Sequence, residues 1–249
     1  MNLLGKIKFF GKYVGSSILS SVQHWFYISQ KLRGDIVSQF HALYYDRLYN
    51  TSITGNASGP PIMTWMGVPI LKCPFDLWVY QEIIFEIKPD LIIECGTKFG
   101  GSAFYLASLC DLLNQGQVVT IDIVEFPHRP SHQRIRYLHG SSVSQEIVDR
   151  VKEIARGHQK VLVILDSDHS REHVLKELEI YHHLVSSGSY LIVEDSNING
   201  HPVLPSSGPG PFEAIAAFLN SNTHFNVDHG REKFLMSFNP SGYLKRTRA

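Results

Sequence analysis

The run Leu-Ile-Ile-Glu-Cys-Gly-Thr-Lys-Phe-Gly-Gly-Ser at residues 91–102 constrains the fold more than any other stretch. Leu91, Ile92 and Ile93 read as a buried strand that Glu94 ends. Gly96, Gly100 and Gly101 follow, where a strand would turn into a helix. Glycine has no Cβ, so backbone there can pass close to a ligand. Glycine turns also serve plain packing. A strand, a glycine turn and a helix form a cradle for a nucleotide-like cofactor at the carboxyl end of a parallel sheet. Two acidic clusters downstream strengthen that reading. They are Asp166-Ser167-Asp168-His169 and Glu194-Asp195, each closing its own apolar run.

The rest of the chain alternates in the same manner. Strands are expected near 91–94, 117–123, 135–138, 160–165 and 189–193. Helices are expected over 74–87, 102–113, 143–155, 170–184 and 211–219. Such alternation predicts an α/β fold, Rossmann-like, with a mostly parallel sheet covered by helices on both faces. Residues 64–70 read as a short extended arm. Residues 225–227 and 234–238 are expected to form a final strand pair. Lys245, Arg246 and Arg248 read as a solvated basic tail. At 249 residues the chain holds one domain, residues 61–249, behind a helical, aromatic-rich extension and loop over residues 1–60.

Charge excludes some partners. Lysine plus arginine, 23, equals aspartate plus glutamate, 23. No global attraction to nucleic acid or an anionic membrane follows. Cys73, Cys95 and Cys110 show no metal or disulfide spacing, and Cys95 and Cys110 read as buried small hydrophobes. A reducing, cytoplasmic setting fits them. No apolar run reaches the ~18 residues of a membrane span. Lys6, Lys8 and Lys12 interrupt the apolar N-terminus and argue for an amphipathic helix rather than a secretory signal. That helix is expected to pack on protein, covering the domain or joining a subunit partner in a homo-oligomer; contact with a membrane surface is the lesser alternative.

Ligands of open α/β sheets bind beyond the carboxyl ends of the strands. That rule selects Glu94 and the glycine turn, Asp122, Gly140, Ser141 and Ser142, the cluster Asp166 to His169, and Glu194 with Asp195. Asp122 sits one βαβ step after the turn, where an acid suits ribose hydroxyls; a capping or loop role is the alternative. The glycine pattern departs from GxGxxG and makes little provision for a pyrophosphate. A nucleoside with a neutral or positive tail, such as S-adenosylmethionine, fits better. Several carboxylates in one crevice repel unless a cation lies between them, and oxygen ligands favour Mg²⁺. The alternative is independent helix caps at Asp166 and Asp168. An unperturbed imidazole titrates near neutrality, so His169 suits a general base, with a surface or capping residue as the alternative. The long loop at 197–210, stiffened by proline, reads as a lid or a loop that recognises a polar substrate.

Five motifs carry a resemblance. They are Thr64-Trp65-Met66-Gly67-Val68-Pro69, Lys72-Cys73-Pro74-Phe75-Asp76-Leu77-Trp78, Ile93-Glu94-Cys95-Gly96-Thr97, Leu165-Asp166-Ser167-Asp168-His169 and the run from Ile192 through Glu194, Asp195 and Asn197 to His201. Together they resemble the cephalosporin hydroxylase family, which is similar to macrolide-sugar and rhamnosyl O-methyltransferases. The resemblance implies a class I methyltransferase fold that uses S-adenosylmethionine and Mg²⁺ to methylate a hydroxyl of a sugar or glycosylated natural product. By motif position it implies Asp166, Glu194 and Asp195 as metal ligands, with Asp168 a rival, and His169 as the base. Glu94, Gly96, Thr97, Gly100, Gly101, Ser102, Asp122, Ser142 and Asp166 would line the cofactor. Cys95 stands where the family commonly has Thr. These motifs form no iron facial triad of two histidines and a carboxylate, which favours methyl transfer over hydroxylation. A cofactor-binding accessory protein without catalysis is the alternative.

Overall fold

The structure, a computed structural model, describes residues 29, 31–49 and 63–247. The amphipathic N-terminal segment, the loop at 51–61 and Arg248 lie outside the described residues. Residues 31–40 are helical and continue into a π-helical stretch, His41–Tyr49. That stretch packs His41 and Tyr45 onto Phe238.

The arm forms a small hairpin, β1 (Thr64–Trp65) with β2 (Val68–Pro69). Helix α1 (Pro74–Ile87) begins with Pro74, whose missing N–H costs nothing in the first turn. It ends at Lys88 in the left-handed region, whose N–H closes back on Ile84, and Pro89 blocks continuation. Asp90 then accepts hydrogen bonds from the N–H groups of Gln159 and Lys160 and fixes where two neighbouring strands start.

The strands of the main sheet are β3 (Leu91–Cys95), β4 (Gln117–Asp122), β5 (Ile135–His139), β6 (Val161–Leu165), β7 (Tyr190–Val193), β8 (Phe225–Val227) and β9 (Tyr243–Arg246). Helices α2 (Gly101–Leu112), α3 (Gln145–Ala155), α4 (Arg171–Tyr181) and α5 (Pro211–Ser221) connect them. The spatial order is β5-β4-β3-β6-β7-β9-β8, parallel through β7 and antiparallel at β9 and β8. This is the expected Rossmann-like methyltransferase architecture. The order reverses between β3 and β6, which opens a crevice at their carboxyl ends. The register Cys95↔Leu165 brings Gly96 and Asp166 side by side there.

Side-chain alternation splits the core. Ile93, Val163 and Leu191 meet α3, α4 and α5 on one face, and Ile92, Leu162 and Ile192 meet α1 and α2 on the other. Each such fully buried aliphatic side chain contributes ~1.5–3 kcal/mol of transfer free energy. The three cysteines are free and buried. Among the described residues no helix is long and apolar enough to cross a membrane.

Two expectations fail at the C-terminal end. Residues 234–238 form no strand. Phe238 packs with Tyr45, Ile198 and Val203, while the Ser237 hydroxyl and the Phe238 N–H donate to buried Asp76. Lys245 and Arg246 are no free tail: they lie in β9, and Arg246 donates to the carbonyls of His182 and Val185.

Candidate active site

A cavity of about 710 Å³ opens at the carboxyl ends of the strands. Its walls carry Gly96, Thr97, Gly101, Ser102, Asp122, Ser142, Asp166, Asp168, His169 and Asp195. Glu94, Gly100 and Glu194, also selected from the sequence, stand behind that wall. No residue of the 197–210 loop lines it either. His201 and Asn199 instead donate to Glu213, which also accepts from the Gly210 N–H at the start of α5.

The glycine side is set by close packing. Gly96 has φ +100°, and a Cβ there would sit 1.8 Å from the Asp166 carbonyl oxygen. A Cβ on Gly101 would sit 2.1 Å from the Pro69 carbonyl oxygen. Both glycines therefore let the chain approach itself. The ligand gains a turn held rigidly in place. Asp122 fixes the same turn: its carboxylate accepts from the N–H groups of Thr97 (3.2 Å), Lys98 (2.7 Å) and Val124 (2.9 Å), with Arg129 at 3.4 Å. A carboxylate has about four lone-pair sites, so some accepting capacity remains at the cavity wall. Glu94 lies fully buried and accepts from the Thr120 hydroxyl at 2.6 Å. Burial pushes its pKa up, against the pull of Lys72.

The acidic side is set by charge. Asp166 follows β6, and Glu194 and Asp195 follow β7. Asp195 adopts φ +52°, a left-handed conformation that turns its side chain out of the strand direction. The Asn239 side-chain oxygen accepts from its N–H at 3.1 Å and holds that conformation. Donor atoms of Asp166, His169 and Asp195 all lie within 4.8 Å of one another. That is close to the ~4 Å span of one octahedral Mg²⁺ ligand shell. His169 Nε2 lies 3.2 Å from Asp195 Oδ2. Burial raises the Asp195 pKa to about 6, with His169 opposing.

Glu194 lies outside that group of three. Its Oε1 accepts from Lys72 and, at 2.6 Å, from the Tyr80 hydroxyl. Lys72 also reaches Asp166 Oδ2 at 2.5 Å. Burial alone would lower the Lys72 pKa, but Asp166 and Glu194 more than reverse this and keep the ammonium charged. Asp168 uses Oδ1 to accept from the Ser170 N–H at 2.8 Å, just before α4, and faces the cavity beside the three converging groups.

Sequence reasoning missed Lys72, Tyr80 and Tyr45. A lone lysine among Ile70, Leu71, Cys73 and Pro74 was the available signal, since a buried lysine needs a partner. It also missed His173. That imidazole lines the cavity, 3.3 Å from Ser142 Oγ and 3.4 Å from buried Glu177, whose hydrogen bond raises its pKa.

Residues 61–247 match the family described as Rhamnosyl O-methyltransferase/CmcI. Rhamnosyl O-methyltransferase of Mycobacterium tuberculosis (strain ATCC 25618 / H37Rv) is 38% identical over 218 residues, covering 85% of each chain. That of Mycobacterium leprae (strain TN) is 37% identical over 218 residues, covering 85% of this chain and 90% of the relative. The apo-structure of CmcI superposes with TM-score 0.58 at 21% identity, over 75% of this chain and 77% of that one. A CmcI structure with Mg and SAM gives TM-score 0.58 at 21% identity, over 77% and 83%. At that identity the likeness concerns the fold.

Proposed function

The chain belongs to the rhamnosyl O-methyltransferase/CmcI family and is an O-methyltransferase; from that premise we propose that it transfers the methyl group of S-adenosylmethionine to a hydroxyl of a sugar or glycosylated natural product, with Mg²⁺ as the metal. One observation supports this above the others. Asp166, His169 and Asp195 converge at the wall of a cavity that also carries the glycine turn and Asp122. When bound, S-adenosylmethionine supplies an activated methyl and Mg²⁺ supplies positive charge that eases loss of the acceptor's proton.

The chain's own residues divide the remaining work. Asp166 and Asp195 offer the hard oxygens that Mg²⁺ prefers, which leaves the imidazole of His169 for the proton. His169 accepts that proton from the acceptor hydroxyl. Asp195, 3.2 Å away, orients the ring and stabilises its charged form. Asp122 would hold the ribose with its remaining accepting capacity, and Ser142 would contact the nucleoside from the same wall. Thr97, Gly101 and Ser102 would wall the cofactor in, and Tyr45 lines the same cavity. Held in register, methyl and hydroxyl react without the entropic cost of a free encounter.

The test is methyl transfer from labelled S-adenosylmethionine to a panel of rhamnosylated and other sugar acceptors, with Mg²⁺ and with chelator. Transfer that needs both Mg²⁺ and a sugar hydroxyl is expected. Transfer that persists in chelator overturns the metal role. Cofactor binding without transfer to any sugar overturns the substrate class.

A further inference from the structure

His173 lines the cavity beside Ser142, and the chemistry above gives it no task. It stands in the first turn of α4, with Glu177 one turn later on the same face. Glu177 is completely buried. Its Oε1 accepts from the Ser167 hydroxyl at 2.7 Å and lies 3.4 Å from His173 Nε2. Its Oε2 has no partner, and no lysine or arginine pairs with it, among the described residues. A buried carboxylate without a full set of partners is costly to keep, and orienting the imidazole is the work it does there. His173 Nε2 also lies 3.3 Å from the Ser142 hydroxyl, while Nδ1 makes no hydrogen bond among the described residues. We propose that His173, oriented by Glu177, reads the purine of the cofactor: Nδ1 accepts a hydrogen bond from the 6-amino group, which makes the site selective for a 6-aminopurine over a 6-oxopurine.

The inference rests on the cofactor reading above and deepens it. The order of the strands says where the base lies. The glycine turn follows β3, Asp122 follows β4 and Ser142 follows β5, on three successive neighbours in the sheet. The methyl group has to face the acids that follow β6 and β7, on the other side of β3. A nucleoside whose ribose meets Asp122 therefore points its base onward, to Ser142 and His173. Glu177 decides the state of the ring. Its carboxylate takes the Nε2 hydrogen, so the neutral imidazole carries its lone pair on Nδ1. An adenine amino group donates to that lone pair. A 6-oxopurine brings an oxygen there instead, and two acceptors face each other unpaired. The charged groups acting on the ring are Glu177 and Lys176 from α4 and Asp168 from the turn before it. The Glu177 hydrogen bond raises the pKa of His173, so the measurement belongs at about pH 8.5, where the ring is neutral.

Gln and Asn separate the two ring nitrogens. The amide of a Gln side chain reaches the position of Nε2, keeps the contact with Glu177 and puts nothing polar at Nδ1. The amide of Asn reaches the position of Nδ1 and leaves Glu177. Calorimetry with S-adenosylhomocysteine and S-inosylhomocysteine is the measurement. The unaltered protein is expected to bind the adenosyl compound at least tenfold more tightly. His173→Gln should cut that ratio at least fivefold by weakening the adenosyl compound alone. His173→Asn should hold the ratio within threefold of the unaltered protein. A merely structural histidine predicts the reverse, because only Gln keeps the contact with Glu177. Equal binding of the two compounds by the unaltered protein overturns the proposal. So does a ratio preserved in His173→Gln, or one lost equally in both variants. If the variants fail to fold, the imidazole nitrogen resonances of the unaltered protein decide. The Nδ1 resonance of His173 should shift on saturation with S-adenosylhomocysteine and stay in place with the inosyl compound; a resonance that ignores the adenosyl compound overturns the proposal. Failure of the unaltered protein to bind S-adenosylhomocysteine at all would defeat the cofactor reading itself, and this inference with it.

Discussion

The two halves of the cavity are built on different physics. At the ends of β3 and β4 the chain is shaped by contact. Gly96 and Gly101 pass within a bond's length or so of where a side chain would collide, and Asp122 ties down the N–H groups between them. At the ends of β6 and β7 the chain is shaped by charge. Asp195 stands in a left-handed conformation beside His169, Lys72 bridges two acids, and the acids outnumber the nearby lysine. The contact half is complete as it stands and offers a preformed cradle to a nucleoside. The charge half is short of positive charge, and under the proposed function a cation would complete it. A cofactor and a metal can thus meet in one cavity although neither half resembles the other.

Substitutions in each half sharpen that contrast. The largest effect is expected from His169→Ala, which should cut turnover ~10²–10⁴-fold. Calorimetry should find cofactor affinity changed less than threefold, because the contact half is intact. A parallel loss of cofactor affinity would mean that the halves are not separable. Next comes Gly96→Ala. Its Cβ would overlap the Asp166 carbonyl, and φ +100° disfavours any side chain, so a loss of about 3 kcal/mol or more in urea unfolding is expected. Wild-type stability in that variant would refute the contact account of the turn.

Asp195→Asn tests the charge half. The folded pKa of Asp195, about 6, lies above the ordinary value of 3.8. A raised folded pKa means that its favourable contribution is present below pH ~3.8 and is lost as pH rises through ~6. Ionised Asp195 therefore destabilises the metal-free protein at neutral pH by ~2–3 kcal/mol. The amide should raise metal-free stability at pH 7.5 and abolish the stabilisation that Mg²⁺ gives the unaltered protein. Unfolding curves at pH 4 and pH 7.5, with and without Mg²⁺, would show it. The smallest effect is expected from Asp122→Asn, a loss of ~1–2 kcal/mol in cofactor affinity with turnover at saturation nearly unchanged. A variant whose affinity matches the unaltered protein would remove Asp122 from the cofactor's contacts.

The legible part of the molecule was the part governed by simple patterns. The central strands announce themselves as apolar runs such as Val-Leu-Val-Ile-Leu at 161–165, buried at every position. Helix α1 announces its own start and stop through Pro74 and Pro89. The rule for carboxyl ends then located most of the cavity wall. What stayed hidden depended on partners far away in the chain. Phe-Leu-Met-Ser-Phe at 234–238 has a strand's composition, yet buried Asp76, some 160 residues earlier, claims its polar groups. Tyr243–Arg246 looks like a tail because its basic residues reveal nothing of the carbonyls that receive Arg246. Lys72 was hidden for the same reason: its ion pairs span 94 and 122 residues. The glycines were found correctly, but their crowding against Asp166 and Pro69 emerged only from the folded chain.

The placement of β9 bears on how the protein matures on the ribosome. β9 pairs directly with β7, the Val193 N–H donates to the Gly242 carbonyl, and Asn239 holds Asp195 in its unusual conformation. A nascent chain that has emerged only as far as residue 238 can already assemble β3 to β6 and the glycine turn. It lacks the residues that set the aspartate, so the proposed metal centre can be completed only once residues 239–246 are present.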